Sequence, residues 1–333
     1  MKTNYILSIG DIHGREEWKV ALFGSVSSYD QWEQESKNHG IGAFMADVYP
    51  IGFFDKVVFV GDYVDSFDKS NVEIKRNLEQ IIYVKTIFPD KVVLLLGNHD
   101  LSYIYGERFY CSGNRPEARF DLNLLFKTSI EGKSAFQAAY QDGLHLWTHA
   151  GVTRGFQVDC LEGFKRLLPN TLYSEIMPTD LENMNYADIL NLMHTVMHPD
   201  LFRVSFSRGG HSTIPGIFWA DKKELYDKPA YGISQIVGHS RVKQIKGYQF
   251  NAEVRGRVDE IYFIDNLEDD GCEFLITDLS NPGARNIPLY GDCFESLTRL
   301  KSKLGIITDT SPVSSNEETF NLVGNIIKDK LKG

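Results

Sequence analysis

The sequence predicts an α/β fold in which polar side chains gather at the carboxyl ends of buried strands. Three observations carry this. Short β-rich apolar runs recur along the chain, each ends in glycine or a polar residue, and helical stretches separate them. Runs that are apolar on both faces read as strands covered on both sides, and alternation with helices reads as an α/β sheet.

Taken in order, Tyr5–Ile9 leads to Asp11, Val57–Val60 to Asp62, and Val92–Leu96 to Asn98. Leu144–Trp147 then leads to His149, and Ile233–Val237 to His239. Helices are expected over roughly 15–28, 72–88, 132–142 and 162–168. Beyond Gly238, stretches 246–250, 260–264, 274–279 and 284–288 read as short strands joined by Asp, Gly and Asn-Pro turns. They suggest a second, more antiparallel sheet packed on the first. Inserts at about 101–143 and 154–215 read as helical caps over a site or as surface elaboration. One large domain is expected over 1–295, followed by a helical extension over 296–333. In that extension Phe320, Val323, Ile327 and Leu331 fall near one helical face and pack on the chain's own domain.

The 333 residues are 42% hydrophobic and 24% charged, the balance of an ordinary globular protein. A net charge of −10 argues against a nucleic-acid backbone as partner, since that calls for a basic face. Cys111, Cys160, Cys272 and Cys293 are far apart with no CxxC, which suits reduced thiols in a cytoplasmic protein. The first nine residues run directly into Asp11 and read as part of the fold. No apolar run approaches the roughly 18 residues that a membrane span needs.

The strand-end motifs are GDIHG (10–14), GDYVD (61–65), GNHD (97–100), HAG (149–151), FWAD (218–221) and GH (238–239). Singly, Asp11 could be a helix cap, Asp62 or Asn98 a turn residue, and His149 or His239 a core histidine. Together they supply carboxylate, amide and imidazole donors for divalent metal. Two ions about 3.5–4 Å apart would clamp a phosphoryl group and acidify a bridging water. This donor mixture suits Mn²⁺, Fe or Zn²⁺ better than Ca²⁺.

The series resembles the calcineurin-like metallophosphoesterase superfamily. GDIHG followed by GDYVD resembles its PPP-type serine/threonine phosphatase branch, which also contains bacterial diadenosine tetraphosphatases. Gly216–Asp221 is similar to that branch's leucine-tryptophan-(serine)-aspartate segment. The resemblance covers about residues 5–240, more loosely to about 290. It implies a four-layer αββα sandwich of two mixed sheets flanked by helices, with helical cap insertions. It also implies that Asp11 and His13 hold the first of two divalent ions, Mn²⁺ foremost, and that Asp62 bridges. Asn98, His149 and His239 complete the second site, and Asp100 braces the loop. His99 is implied as the general acid, paired with Asp65, or else as a hydrogen-bond donor to phosphate.

Departures bear on substrate. The branch follows GDYVD with a phosphate-gripping arginine, but here Ser66 and Phe67 follow, and Leu96 replaces the arginine before GNH. Arg208 is the first substitute, then Arg115 and Arg241. His194 and His198 stand at a chelating i, i+4 spacing, yet without the glutamate of a zincin they read as incidental to a cap helix. The reading is a phosphomonoesterase acting through a metal-bridging hydroxide on phosphoprotein Ser/Thr or a small phosphorylated molecule. Its alternatives are a dinucleoside polyphosphate or nucleotide phosphohydrolase and a silent, metal-bound phosphate-binding scaffold.

Overall fold

Alternation within the strands builds two sheets rather than one. Strand β1 (Tyr5–Ile9) pairs in parallel with β2 (Lys56–Phe59), which pairs in parallel with β3 (Val92–Leu95). Leu7, Ile9, Val57, Phe59 and Leu94 point one way, onto Trp18 and Leu22 of α1 (Glu17–Phe23) and Leu78 and Ile81 of α3 (Asn71–Ile87). Ile6, Val58, Val60 and Leu95 point the other way, onto Trp147, Ile236 and Tyr262 of a second sheet. Each such buried side chain contributes about 1.5–3 kcal/mol. Trp147 Nε1 donates to Ser8 Oγ at 2.8 Å, so this polar contact across the inter-sheet layer is satisfied.

A computed structural model describes residues 4–167, 183–250, 259–267, 272–279, 285–290 and 300–302. Beyond the strands above, it contains β4 (Ser129–Ile130), β5 (Lys133–Ser134), β6 (Phe136–Gln137), β7 (Ala139–Asp142), β8 (His145–Thr148) and β9 (Ser234–Val237). It also contains β10 (Lys246–Phe250), β11 (Asp259–Phe263), β12 (Glu273–Asp278) and β13 (Arg285–Tyr290). The first sheet runs β13-β12-β1-β2-β3-β6 and the second β10-β11-β9-β8-β7, with parallel and antiparallel pairs in each. Helices α2 (Val26–His39), α4 (Asn98–Tyr105) and α5 (Arg119–Phe126) join α1 and α3 on the first sheet's side. On the second sheet's outer side, α7 (Tyr186–Thr195) and α8 (Lys222–Asp227) supply Leu190, Met193 and Leu225, while α6 (Glu162–Leu167) precedes them in the chain. The result is the expected four-layer αββα sandwich.

Three local expectations change. Stretch 132–142 is β-structure, because Glu131 and Gly132 both adopt positive φ (53° and 78°) and close a tight β4–β5 hairpin. The late strands divide between the sheets: β12 and β13 extend the first from β1, while β11 pairs in parallel with β9 in the second. The first expected helix is two, split where Gly24 turns left-handed (φ 86°) and Ser25 caps α2. Of the expected C-terminal extension, only Leu300–Ser302 lies within the described residues. Among the described residues no helix is long and apolar enough to cross a membrane, and Cys111, Cys160 and Cys272 are free thiols.

Candidate metal centre

Six strand ends converge between the two sheets. Asp11 follows β1, Asp62 follows β2, Asn98 follows β3, His149 follows β8, His239 follows β9 and Asp265 follows β11. The turns that deliver them are strained. His13 (φ 44°), Asp62 (52°), Asp65 (62°) and His239 (62°) all take the left-handed conformation that non-glycine residues avoid. Asp100 holds this shape as the brace expected of it, accepting from the backbone N–H groups of Asp62 (3.0 Å), Tyr63 (2.9 Å) and Gly97 (2.8 Å). Close approach makes two glycines obligatory. A Cβ on Gly97 would lie 2.1 Å from Asp62 Oδ1, and one on Gly238 would lie 1.9 Å from Asp11 Oδ1. Gly97→Ala is therefore expected to push Asp62 aside, weakening any divalent-metal binding at least tenfold by calorimetry and destabilising the fold by about 1–3 kcal/mol in urea titration. Unchanged metal binding in that variant would show that the contact relaxes without moving the carboxylate.

The histidine tautomers follow from their carbonyl partners. A carbonyl only accepts, so His13 Nδ1–H donates to Val64 O (2.7 Å) and His149 Nδ1–H donates to Val60 O (2.9 Å). Each ring then turns its Nε2 lone pair inward. His149 Nε2 lies 2.7 Å from Asn98 Oδ1 and 3.3 Å from Asp62 Oδ2, while His239 Nδ1 lies 2.7 Å from Asn98 Oδ1 and 3.2 Å from His149 Nε2. Acceptors converging at such distances repel unless a proton or a cation lies among them. Carbonyl-anchored imidazoles of this kind are what metal sites use to fix their ligands. Two groups of donor atoms, His13–Asp62–His99 and Asp62–His149–His239, are compact enough to hold a metal ion, and Asp62 belongs to both. The donor set fits a divalent cation.

Electrostatics agrees. Burial and then the charges of Asp265 and Asp62 raise Asp11 well above its ordinary range, although both its oxygens accept from His239 N (3.1 and 2.9 Å). Burial and Asp62 likewise raise Asp100. Burial, His149 and Arg208 push His239 well below its usual value, which keeps the ring neutral with one nitrogen free for ligation. Burial opposes charge on Asp62 too, but any proton carried by His149, His99 or His13 favours the ionised carboxylate, and the balance lowers its pKa below the ordinary range.

His99 sits beside these groups. Its Nδ1 is 3.0 Å from Asp65 Oδ2, and the other Asp65 oxygen accepts from Tyr103 O–H. Burial disfavours the charged ring, yet Asp62 and Asp65 raise it to about 9.

A cavity of about 690 Å³ opens over the centre, lined by Asp11, His13, Asp62, Asp65, Asn98, His99 and His239. Arg208 and Arg241 line it as well. Arg208 Nε lies 3.1 Å from Asp221 Oδ2, and its Nη2 donates to Ser240 Oγ (3.0 Å), which aims the guanidinium across the His239 loop. Arg115 lies elsewhere. Its guanidinium donates to Asn71 Oδ1 (2.8 Å) and to the carbonyls of Ser66 and Lys69, tying down the loop after Asp65. The sequence reading missed Arg108 and Asp265, both in the cavity wall. It also missed Tyr103, although the i, i+4 spacing from His99 on α4 puts both on one face. His194 and His198 do not converge: His194 Nε2 meets Tyr105 Oη (2.7 Å), whereas His198 faces Asp200 (3.8 Å).

A metallophosphoesterase from Sphaerobacter thermophilus shares 13% identity over 92% of this chain and 96% of its own, with a TM-score of 0.40. A protein serine/threonine phosphatase from Saccharomyces cerevisiae with similarity to human phosphatase PP5 shares 12% identity over 86% of this chain and 79% of its own, at a TM-score of 0.36. No curated protein matches the chain. The profile of the calcineurin-like phosphoesterase family, however, matches residues 5–262, from the first strand to the one before Asp265, and the chain belongs to that family.

Proposed function

We propose that the chain is a metal-dependent phosphomonoesterase holding two divalent ions, Mn²⁺ foremost, with Asp11, His13 and Asp62 at one and Asp62, Asn98, His149 and His239 at the other. The observation that carries this is the convergence of imidazole lone pairs and an amide oxygen on the shared carboxylate of Asp62. Ions bound there supply charge neutralisation for a phosphoryl group and an activated water. The remaining work falls to the chain's own groups. His99, whose pKa Asp62 and Asp65 raise to about 9 in the metal-free chain and which Asp65 orients, hands its proton to the leaving oxygen. Arg208 and Arg241, which line the same cavity, are the candidates to neutralise the phosphoryl oxygens. Substrates are phosphoproteins or small phosphorylated molecules. The free thiols suit the cytoplasm, and the acidic net charge argues against a nucleic-acid backbone as the main partner.

The test is a Mn²⁺-supplemented panel of p-nitrophenyl phosphate, a phosphopeptide and diadenosine tetraphosphate, followed by phosphate and nucleotide release. Turnover of the first two supports the reading. Metal-loaded protein that binds phosphate and turns over nothing would replace it with a silent phosphate-binding scaffold.

One observation favours a second reading, a nucleotide or dinucleoside polyphosphate hydrolase. Where a phosphate-gripping arginine was expected, the cavity rim carries aromatic surface: Phe67 is 76% exposed, Tyr110 is 43% exposed, and the Arg108 guanidinium lies 4.8 Å from the Phe109 ring centre. Stacking on a base is worth about 1–3 kcal/mol. On this reading Phe67→Ala lowers kcat/KM for diadenosine tetraphosphate at least fivefold and leaves phosphopeptide turnover unchanged. Equal effects on both substrates would remove it.

A further inference from the structure

Asp265 has no part in the ligand set above, yet it is buried in the same wall. It is only 4% exposed, no described residue donates a hydrogen bond to its carboxylate, and it reaches the cavity alongside Asp11, His13 and Asp62. Backbone contacts fix its place. Ile264 N donates to Val237 O (2.8 Å) and Val242 N to Asp265 O (2.9 Å), which locks the turn after β11 against the strand that ends at His239. On the other side, a Cβ on Gly10 would lie 2.0 Å from Ile264 O and 3.4 Å from Asp265 Cα. The residue before Asp11 and the residue before Asp265 are therefore in direct contact, and the two carboxylates leave adjacent strand ends. Burying an ionised carboxylate without a hydrogen bond costs several kcal/mol unless a cation compensates, and the neighbouring charges of His13 and Arg241 offset that cost only in part.

We propose that Asp265 is a further carboxylate ligand of the first metal site, beside Asp11, His13 and Asp62; this rests on the two-metal reading above. The centre then becomes asymmetric. Three carboxylates and one imidazole make the first site hard, while one carboxylate, one amide and two imidazoles make the second softer. The first site then favours Mn²⁺, relative to Zn²⁺, more than the second does.

The test needs no turnover. Calorimetry of the full chain with Mn²⁺ should show two sites, and Asp265→Asn should weaken one of them at least tenfold while the other keeps its affinity. Zn²⁺ binding should fall less. Thermal unfolding provides the second readout. Without metal, Asp265→Asn removes a repelling charge and leaves Tm equal or higher, and with Mn²⁺ its Tm gain is smaller than that of the wild type. Asp265→Ser should behave alike, which guards against a fault of the amide. Two-site binding equal to wild type, or a Tm lowered equally with and without Mn²⁺, would make Asp265 a structural carboxylate and overturn the assignment alone. A wild-type chain that binds no Mn²⁺ would overturn the two-metal reading and this assignment with it.

Discussion

Asp62→Asn is expected to lose turnover of p-nitrophenyl phosphate by about 10³-fold or more and to bind Mn²⁺ at neither site, with an unchanged far-ultraviolet circular dichroism spectrum. Asp62 is 2% exposed, and its two oxygens serve different neighbours. Oδ1 accepts from His99 N at 2.9 Å, while Oδ2 lies 3.3 Å from His149 Nε2 and 3.9 Å from His13 Nε2. It is the only carboxylate shared by both compact donor groups found among the described residues. Asparagine keeps the shape but turns one oxygen into an NH₂ that can only donate, toward lone pairs that also need a cation. Several kcal/mol of lost charge stabilisation corresponds to the stated factor, at about 1.4 kcal/mol per decade. The fold should survive because the backbone of the turn is held by Asp100, not by the Asp62 side chain. Wild-type-like turnover with two bound ions would remove Asp62 from the centre.

The centre was legible to the extent that its ligands end buried strands. A strand covered on both faces must be apolar until it leaves the sheet, so the first polar residue beyond Ile9, Val60 or Leu96 stands out. Asp265 obeys the same rule after Ile261–Ile264, and that pattern could have revealed it. It was passed over because its strand joins the sheet through parallel pairing with β9, a non-local contact that the chain order does not display. Arg115 misled for the opposite reason. A guanidinium near a glycine-rich loop looks the same in sequence whether it faces phosphate or three backbone and side-chain acceptors of the next loop. The stretch 132–142 failed on turn chemistry, since Glu131-Gly132 is a weaker hairpin signal than Asn-Gly while its alanines suggest a helix. Sheet membership of β12 and β13 likewise depends on which edge lies open, and only the assembled fold decides that.

His99→Asn is expected to leave both metal sites filled and to lower kcat by about 10²–10⁴-fold on alkyl phosphates, whose leaving oxygen needs a proton. The loss should be smaller on p-nitrophenyl phosphate, which departs readily as an anion. That contrast separates an acid from a group that merely holds phosphate, because loss of a holding group would slow both substrates alike. The protonation state can be checked in the metal-free protein. Burial alone would depress the imidazole, but Asp62 and Asp65 raise it to about 9, above an ordinary value of about 6.5. A raised folded pKa stabilises the native state fully below about pH 6.5, and that contribution disappears as pH climbs through about 9. Nuclear magnetic resonance titration should therefore find His99 charged at pH 7.5. Asp65→Asn should move the transition downward, because it removes the ion pair and leaves at most a neutral acceptor for the hydrogen bond at 3.0 Å. With the ring neutral at pH 7.5 in the wild type, or with metal lost from His99→Asn, the acid role fails. The ring would then be a ligand, as its place in the compact His13–Asp62–His99 group allows.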